Sequence, residues 1–259
     1  MDDVTSPVPR WMQVVLPAAG VGLILAVWQV LAAVVNTPGL LPSPLQTLLT
    51  LATWATSGGF GPHLTATMAG ALGGLAIGAG LGLIAGVIVG EVRVLDRILY
   101  PVALALQAMP VVAIAPLVIV WFGIGIPSKL ALVAIGTFFV MFLNTVAGMH
   151  ATPTELSDMG RAFGGSRWQI ALRIKLPNAW DYIFGALEVC AALSFILCVV
   201  GEFLAAKAGL GYYLRAASNN IDAAAMFASL IVLSLLATTL ALAVRAAHHR
   251  TVFWKYRRH

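Results

Sequence analysis

Residues 151–180 read ATPTELSDMGRAFGGSRWQIALRIKLPNAW. This stretch decides the fold, because it is too polar to cross a bilayer yet lies between two runs that are apolar enough to do so. Pro153 suits the start of a helix, Glu155 and Asp158 favour the positive end of its dipole, and Gly164 can end it with a left-handed residue. The expected product is a short amphipathic helix with Leu156, Met159 and Phe163 on one side. A basic stretch, residues 167–175, then leads through Leu176 and Pro177 into the next apolar run. Two spans can be joined without any ordered amphipathic helix, so the sharper reading of the segment is a docking surface for a partner.

Outward from this loop the chain is a series of apolar runs. Of 259 residues, 60% are hydrophobic and 10% charged, against about 25% charged in a soluble domain. Six runs, at 15–35, 66–89, 98–120, 130–149, 182–200 and 226–244, have the length that crosses a ~30 Å hydrocarbon core. The fold class expected is all-α, a polytopic membrane protein with about six transmembrane helices. Its parts are a cytoplasmic tail at 1–14, a membrane domain at 15–247 that contains the loop 151–178, and a basic cytoplasmic tail at 248–259. The first run, beginning near Trp11, has no basic segment followed by a small-residue cleavage site and reads as a retained span.

Lysine and arginine near the spans set orientation. With the N-terminus inside, twelve of them fall in the cytoplasm and only Lys129, Lys207 and Arg215 outside. The tail after the last span reads as a headgroup anchor, with Trp254 and Tyr256 at the interface, and not as a nucleic-acid surface. Cys190 and Cys198 lie eight residues apart on one apolar helix, about 12 Å along its axis, too far to bridge. No cysteine and histidine cluster has metal spacing, and His248 and His249 beside Arg250 read as part of the basic tail. An intramembrane enzyme would need a convergent nucleophile and base; His63 and His150 stand at span ends with no such partners, so no catalytic residue is expected.

Within the second run, glycines stand at 70, 74, 78, 82, 86 and 90. This small-xxx-small series lets another backbone approach closely. Four residues turn a helix by about 400°, so the stripe drifts and suits an obliquely crossing neighbour. Pro101, Pro110 and Pro116 make the third run kinked or broken. Two readings stand for residues 107–116: a proline kink serving packing, or irregular backbone lining a pathway. Gln107 and Pro110 are therefore pathway candidates, joined by Asn144, Ser194, Glu188 and Glu202, polar or ionisable groups inside or at the end of spans. For Glu188 the alternative is an interfacial carboxylate paired with Arg173 or Lys175, and for Glu202 an interfacial carboxylate.

The loop also resembles a motif of binding-protein-dependent ABC importer permeases, E-A-A-x-x-x-G followed after nine residues by I-x-L-P. Here Asp158, Met159 and Gly160 stand for the first three residues, Gly164 for the glycine, and Ile174, Lys175, Leu176 and Pro177 follow at the same spacing. The substitutions at 158–160 imply a docking contact altered in detail and unchanged in place. Four other stretches resemble the branch importing alkanesulfonates, taurine and nitrate: Leu41-Pro42-Ser43-Pro44; Trp121-Phe122-Gly123-Ile124-Gly125 with Ser128-Lys129; Phe138-Phe139 with Asn144-Thr145; and Gly209-Leu210-Gly211-Tyr212. In that branch the position of Glu188 often holds arginine.

The resemblance implies the type I ABC importer permease fold in a bacterial inner membrane and a solute pathway working by alternating access. The implied partners are a second copy of the chain, cytoplasmic ATPase subunits, an external solute-binding protein and the lipid bilayer. It assigns ATPase coupling to Glu155, Asp158, Met159, Gly160, Phe163, Gly164, Ile174, Leu176 and Pro177. The chain contains no G-x-x-x-x-G-K-[ST], so ATP and Mg are expected on the partner ATPase and no cofactor on this chain. The rival class, a secondary transporter or channel, predicts internal repeats or buried ion-coupling charges and leaves the loop motif unexplained.

Overall fold

The computed structural model describes residues 10–37, 39–57 and 60–252. The expectations for residues 1–9 and for the tail beyond 252, Trp254 and Tyr256 included, lie outside them. In chain order the helices are α1 (Arg10–Val35), α2 (Pro44–Ser57), α3 (Gly61–Glu91), α4 (Arg93–Gln107), α5 (Val111–Phe122) and α6 (Ile126–His150). There follow α7 (Thr154–Ala162), α8 (Arg167–Ile170), a π-helical turn (Ala171–Lys175), α9 (Leu176–Asn178), α10 (Trp180–Ala205), α11 (Leu210–Asn219) and α12 (Ala223–Thr251). No strand occurs among the described residues.

Helices α1, α3, α6, α10 and α12 are long and apolar enough to cross a membrane. The remaining expected span, 98–120, is not one straight helix: α4 and α5 meet at 96° across residues 108–110. The expected interruption is therefore a break, and it falls at Pro110, which lacks an N–H and disfavours helical backbone at Met109. Pro101 and Pro116 are absorbed inside α4 and α5.

The core is the trio α3, α6 and α10, with α3 against α6 the most extensive contact. Each glycine of the stripe faces a residue of α6. A methyl group on Gly74 would lie 2.5 Å from Val133 Cβ, on Gly86 2.6 Å from Thr145 Cβ, and on Gly90 3.0 Å from Met149 Cβ. At Gly78 and Gly82 the obstacle is α6 backbone itself, the carbonyls of Ala134 and Phe138. The partners Lys129, Val133, Thr137, Met141, Thr145 and Met149 also recur every four residues. Contact thus persists over 20 residues, about 30 Å, which corrects the expectation of an oblique crossing. Two helices carrying stripes of the same period, longer than 3.6 residues, wind together and do not diverge.

Two short helices were not anticipated. Ser43 and Gln46 form a capping box for α2, Ser43 N–H to Gln46 Oε1 at 2.9 Å and Gln46 N–H to Ser43 Oγ at 3.2 Å, with Pro44 as first helical residue. This is the structural content of Leu41-Pro42-Ser43-Pro44. Helix α11 begins beyond the turn at Gly209. Helix α1 is peripheral and almost unburied, tied on by Trp28, whose indole N–H donates to the Pro42 carbonyl at 2.9 Å and whose ring stacks on Phe227. At the other end of the chain α12 continues to Thr251. His248 therefore belongs to a helix and not to a tail: its Nε2 lies 3.0 Å from Asp181 Oδ1, and its ring stacks on Phe184.

Candidate functional site

Helix α7 occupies Thr154–Ala162, with Pro153 at its N-cap and Glu155 in its first turn. Its end is a Schellman motif: Gly164 N–H donates to Arg161 O at 2.9 Å and Gly165 N–H to Gly160 O at 3.0 Å. Gly164 has φ +76°, a conformation that side chains with a Cβ rarely adopt. Gly160 turns toward the basic stretch, where a methyl group would stand 2.7 Å from Ile174 Cδ1 and 3.1 Å from Ile170 Cγ1. On the adjoining face Leu156, Met159 and Phe163 are exposed, Phe163 by 85%. Asp158 pairs with Arg161 at 2.9 Å in solvent.

The base beneath α7 is fixed. Ser166 and Gln169 form the capping box of α8. Glu91, the last residue of α3, accepts from Arg167 at 3.1 Å and Lys175 at 2.7 Å, and its carbonyl also accepts from Arg167. Leu176 packs into the bundle beside Val87, Met149 and Ala171. Pro177 sits in the first turn of α9, where a missing N–H costs nothing. An apolar stripe is thereby presented outward on a helix held from behind to α3 and α10. Glu91 was not singled out in the sequence; its position directly after the last glycine of the stripe was the available signal.

The pathway candidates divide. Gln107 and Pro110 are exposed at the α4–α5 break. Asn144 is half-buried and donates to Val140 O at 2.8 Å. Glu188 is half-buried on α10 and has no hydrogen bond or ion pair among the described residues. The alternative pairing with Arg173 or Lys175 is not formed among the described residues, and Lys175 is held by Glu91. Ser194 and Glu202, by contrast, are wholly buried. Ser194 bonds back to Ala191 O at 2.8 Å within its own helix, so in this conformation it serves packing and lines no open surface.

Glu202 is on no open face. Its carboxylate accepts from Lys129 Nζ at 2.9 Å, Thr67 Oγ1 at 2.8 Å and Gly211 N–H at 2.9 Å. Lys129, placed by the sequence among external charges, is buried too, and its ammonium also donates to Ala208 O at 2.9 Å. Thr67 Oγ1 accepts from Leu210 N–H at 2.8 Å, and His63 Nδ1 accepts from Gly209 N–H at 3.2 Å. Gly209, at φ +127°, leaves no room for a Cβ because the Glu202 carboxylate fills that space, and at Gly211 a Cβ would stand 2.6 Å from Val199 O and 2.8 Å from Glu202 Cβ. The Gly209-Leu210-Gly211-Tyr212 stretch is therefore the lid of a buried ion pair joining α3, α6, α10 and α11. Arg215 closes the same end, donating to the carbonyls of Phe203, Leu204 and Ala206 at 3.1–3.2 Å and so satisfying the last turn of α10.

Residues 78–253 match the family model described as binding-protein-dependent transport system inner membrane component. The riboflavin transport system permease protein RibX of Chloroflexus aurantiacus is 35% identical over 247 residues, 95% of this chain and 92% of that protein. The putative aliphatic sulfonates transport permease protein SsuC of Bacillus subtilis is 29% identical over 247 residues, 95% and 88%. An inward-facing conformation of the MetNI methionine ABC transporter superposes with a TM-score of 0.62 at 19% identity, covering 77% of this chain and 97% of that one, a likeness of fold.

Proposed function

This chain belongs to the binding-protein-dependent transport system inner membrane components, and from that membership we propose that it forms the translocation pathway of an ATP-driven importer, its α7 loop receiving a partner ATPase. The observation that carries the reading is the stripe Leu156, Met159 and Phe163, exposed on a helix whose adjoining face, at Gly160, packs on Ile170 and Ile174 of a loop base held by Glu91. A stripe so held can transmit a push from a partner to α3 and α10. ATP and Mg belong on that partner, a second copy of the chain completes the pathway, and an external binding protein delivers the solute. The ATPase shifts the inward–outward equilibrium by binding ATP more tightly in one state. The termini and the α7 loop lie in the cytoplasm.

The solute is a small molecule of the sulfonate, taurine or nitrate kind or a related compound. Gln107, Pro110, Asn144 and Glu188 are the groups on the pathway. Glu188 is a carboxylate inside a span without a cationic partner among the described residues, and such groups face the bundle interior or a water-filled cavity. Its negative charge alters the charge preference of the pathway within that class, favouring a zwitterion such as taurine or an uncharged related compound over the sulfonate and nitrate anions.

The test is co-purification of the ATPase with the chain, together with solute-stimulated ATP hydrolysis in reconstituted vesicles. Gly164→Val forces a branched residue into a left-handed conformation and should displace the stripe while the spans still insert. Asp158→Lys sets two cations three residues apart and should weaken the same contact. Glu188→Gln should leave ATPase retention intact and alter uptake. Full ATPase retention and parental hydrolysis in both loop variants would remove the main support for this function.

A further inference from the structure

At the α7 end a cleft of 650 Å³ opens between the end of α3, the start of α4 and the loop base. Its charged lining is Arg93, Arg161, Arg167 and Lys175 against Glu91, with His150 at the side. The one carboxylate is shared by Arg167 and Lys175, and Asp158 holds Arg161. His150 Nε2 stands 3.7 Å from Asp96. Arg93 is exposed and has no hydrogen-bond or ion-pair partner among the described residues. With Glu91 set against Arg167 and Lys175 and Asp158 against Arg161, Arg93 is the cation left to give the recess its excess positive charge, which attracts a further negative group.

What lies beside the recess narrows the ligand. Val94, part of the cleft wall, begins a row on α4 that continues with Ile98 and Val102, exposed by 67%, 57% and 51%. Residues four apart share a helix face, so a basic recess runs directly onto an apolar strip. The recess also sits at the end of α3, a helix long and apolar enough to cross a membrane, where a headgroup would meet it. We propose that the cleft binds the phosphate of an anionic phospholipid, whose acyl chains lie along Val94, Ile98 and Val102. Arginine forks suit phosphate oxygens, and basic pockets between spanning helices suit anionic headgroups. Arg161 lies about 160° around α7 from the exposed stripe, so a bound lipid leaves that stripe free. Lipid occupancy needs no ATPase at α7, and failure of either leaves the other standing.

The experiment uses the full chain purified in neutral detergent and measures equilibrium binding of labelled phosphatidylglycerol, phosphatidylcholine and inorganic phosphate. Phosphatidylglycerol should bind saturably and phosphatidylcholine should not. Arg93→Gln or Arg161→Gln should each weaken phosphatidylglycerol by about five-fold without lowering the thermal unfolding midpoint. Arg173→Gln, an equal loss of charge outside the cleft, should change nothing. Ile98→Asn should weaken the lipid and leave inorganic phosphate unaffected. Equal weakening by Arg93→Gln and Arg173→Gln would mean a diffuse positive surface and overturn the site. Inorganic phosphate binding as tightly as phosphatidylglycerol would assign the cleft to a free anion and overturn the lipid.

Discussion

Glu202 shows how a residue's meaning depends on what the fold sets against it. In isolation it is an acid near the end of an apolar run. In the bundle its oxygens, wholly buried, meet an ammonium, a hydroxyl and a backbone N–H. Removing one member of a buried pair strands the other and costs about 3–5 kcal/mol, whereas removing both costs far less than the sum. Lys129→Met and Glu202→Gln should therefore each lower the thermal unfolding midpoint sharply in detergent, and the double variant should recover much of the loss. Additive losses would show that the two side chains are not coupled. The pair was not legible in the sequence, since its members stand 73 positions apart; the glycines at 209 and 211 were visible, but only the folded chain shows that Gly209 makes room for a carboxylate. Gly164 was legible because everything that dictates its conformation lies within five residues.

At the level of the helix, α3 and α6 supply the clearest test. Leucine at Gly78 or Gly82 would have to displace carbonyl oxygens of α6, which cannot rotate away. Both variants should reduce the yield of assembled protein in size-exclusion profiles, while Ile77→Leu, at a position half open to the surroundings, should be mild. Equal tolerance at all three positions would dismiss the close seam. The glycine period was plain in the sequence, but the angle inferred from it was wrong, because the drift of one stripe was read without the matching ladder on its partner. Helices α2 and α11 escaped notice for a related reason. They are short and amphipathic, and their apolar sides count only once Trp54, Tyr213 and Ala228 meet.

For the molecule as a whole, the charge distribution predicts which end faces the cytoplasm. Ala55→Cys at the end of α2 and Leu172→Cys in the loop base are both exposed positions, and the native Cys190 and Cys198 are buried and free. In a background lacking those two, an impermeant thiol reagent added to intact cells should label the first variant and spare the second; the reverse pattern would invert the protein. Whichever way it sits, the α3–α6 seam gives the bundle a mechanical property. Two helices in backbone contact over about 30 Å behave as one stiff rod, reaching from Met149, beside the loop, to Lys129, beneath the lid at the far end. A stroke delivered at α7 would arrive at the Lys129–Glu202 pair as displacement and not be absorbed by bending. Gly78→Leu, by prying the rod apart halfway along, should then let ATP be hydrolysed without solute moving in whatever complex still assembles.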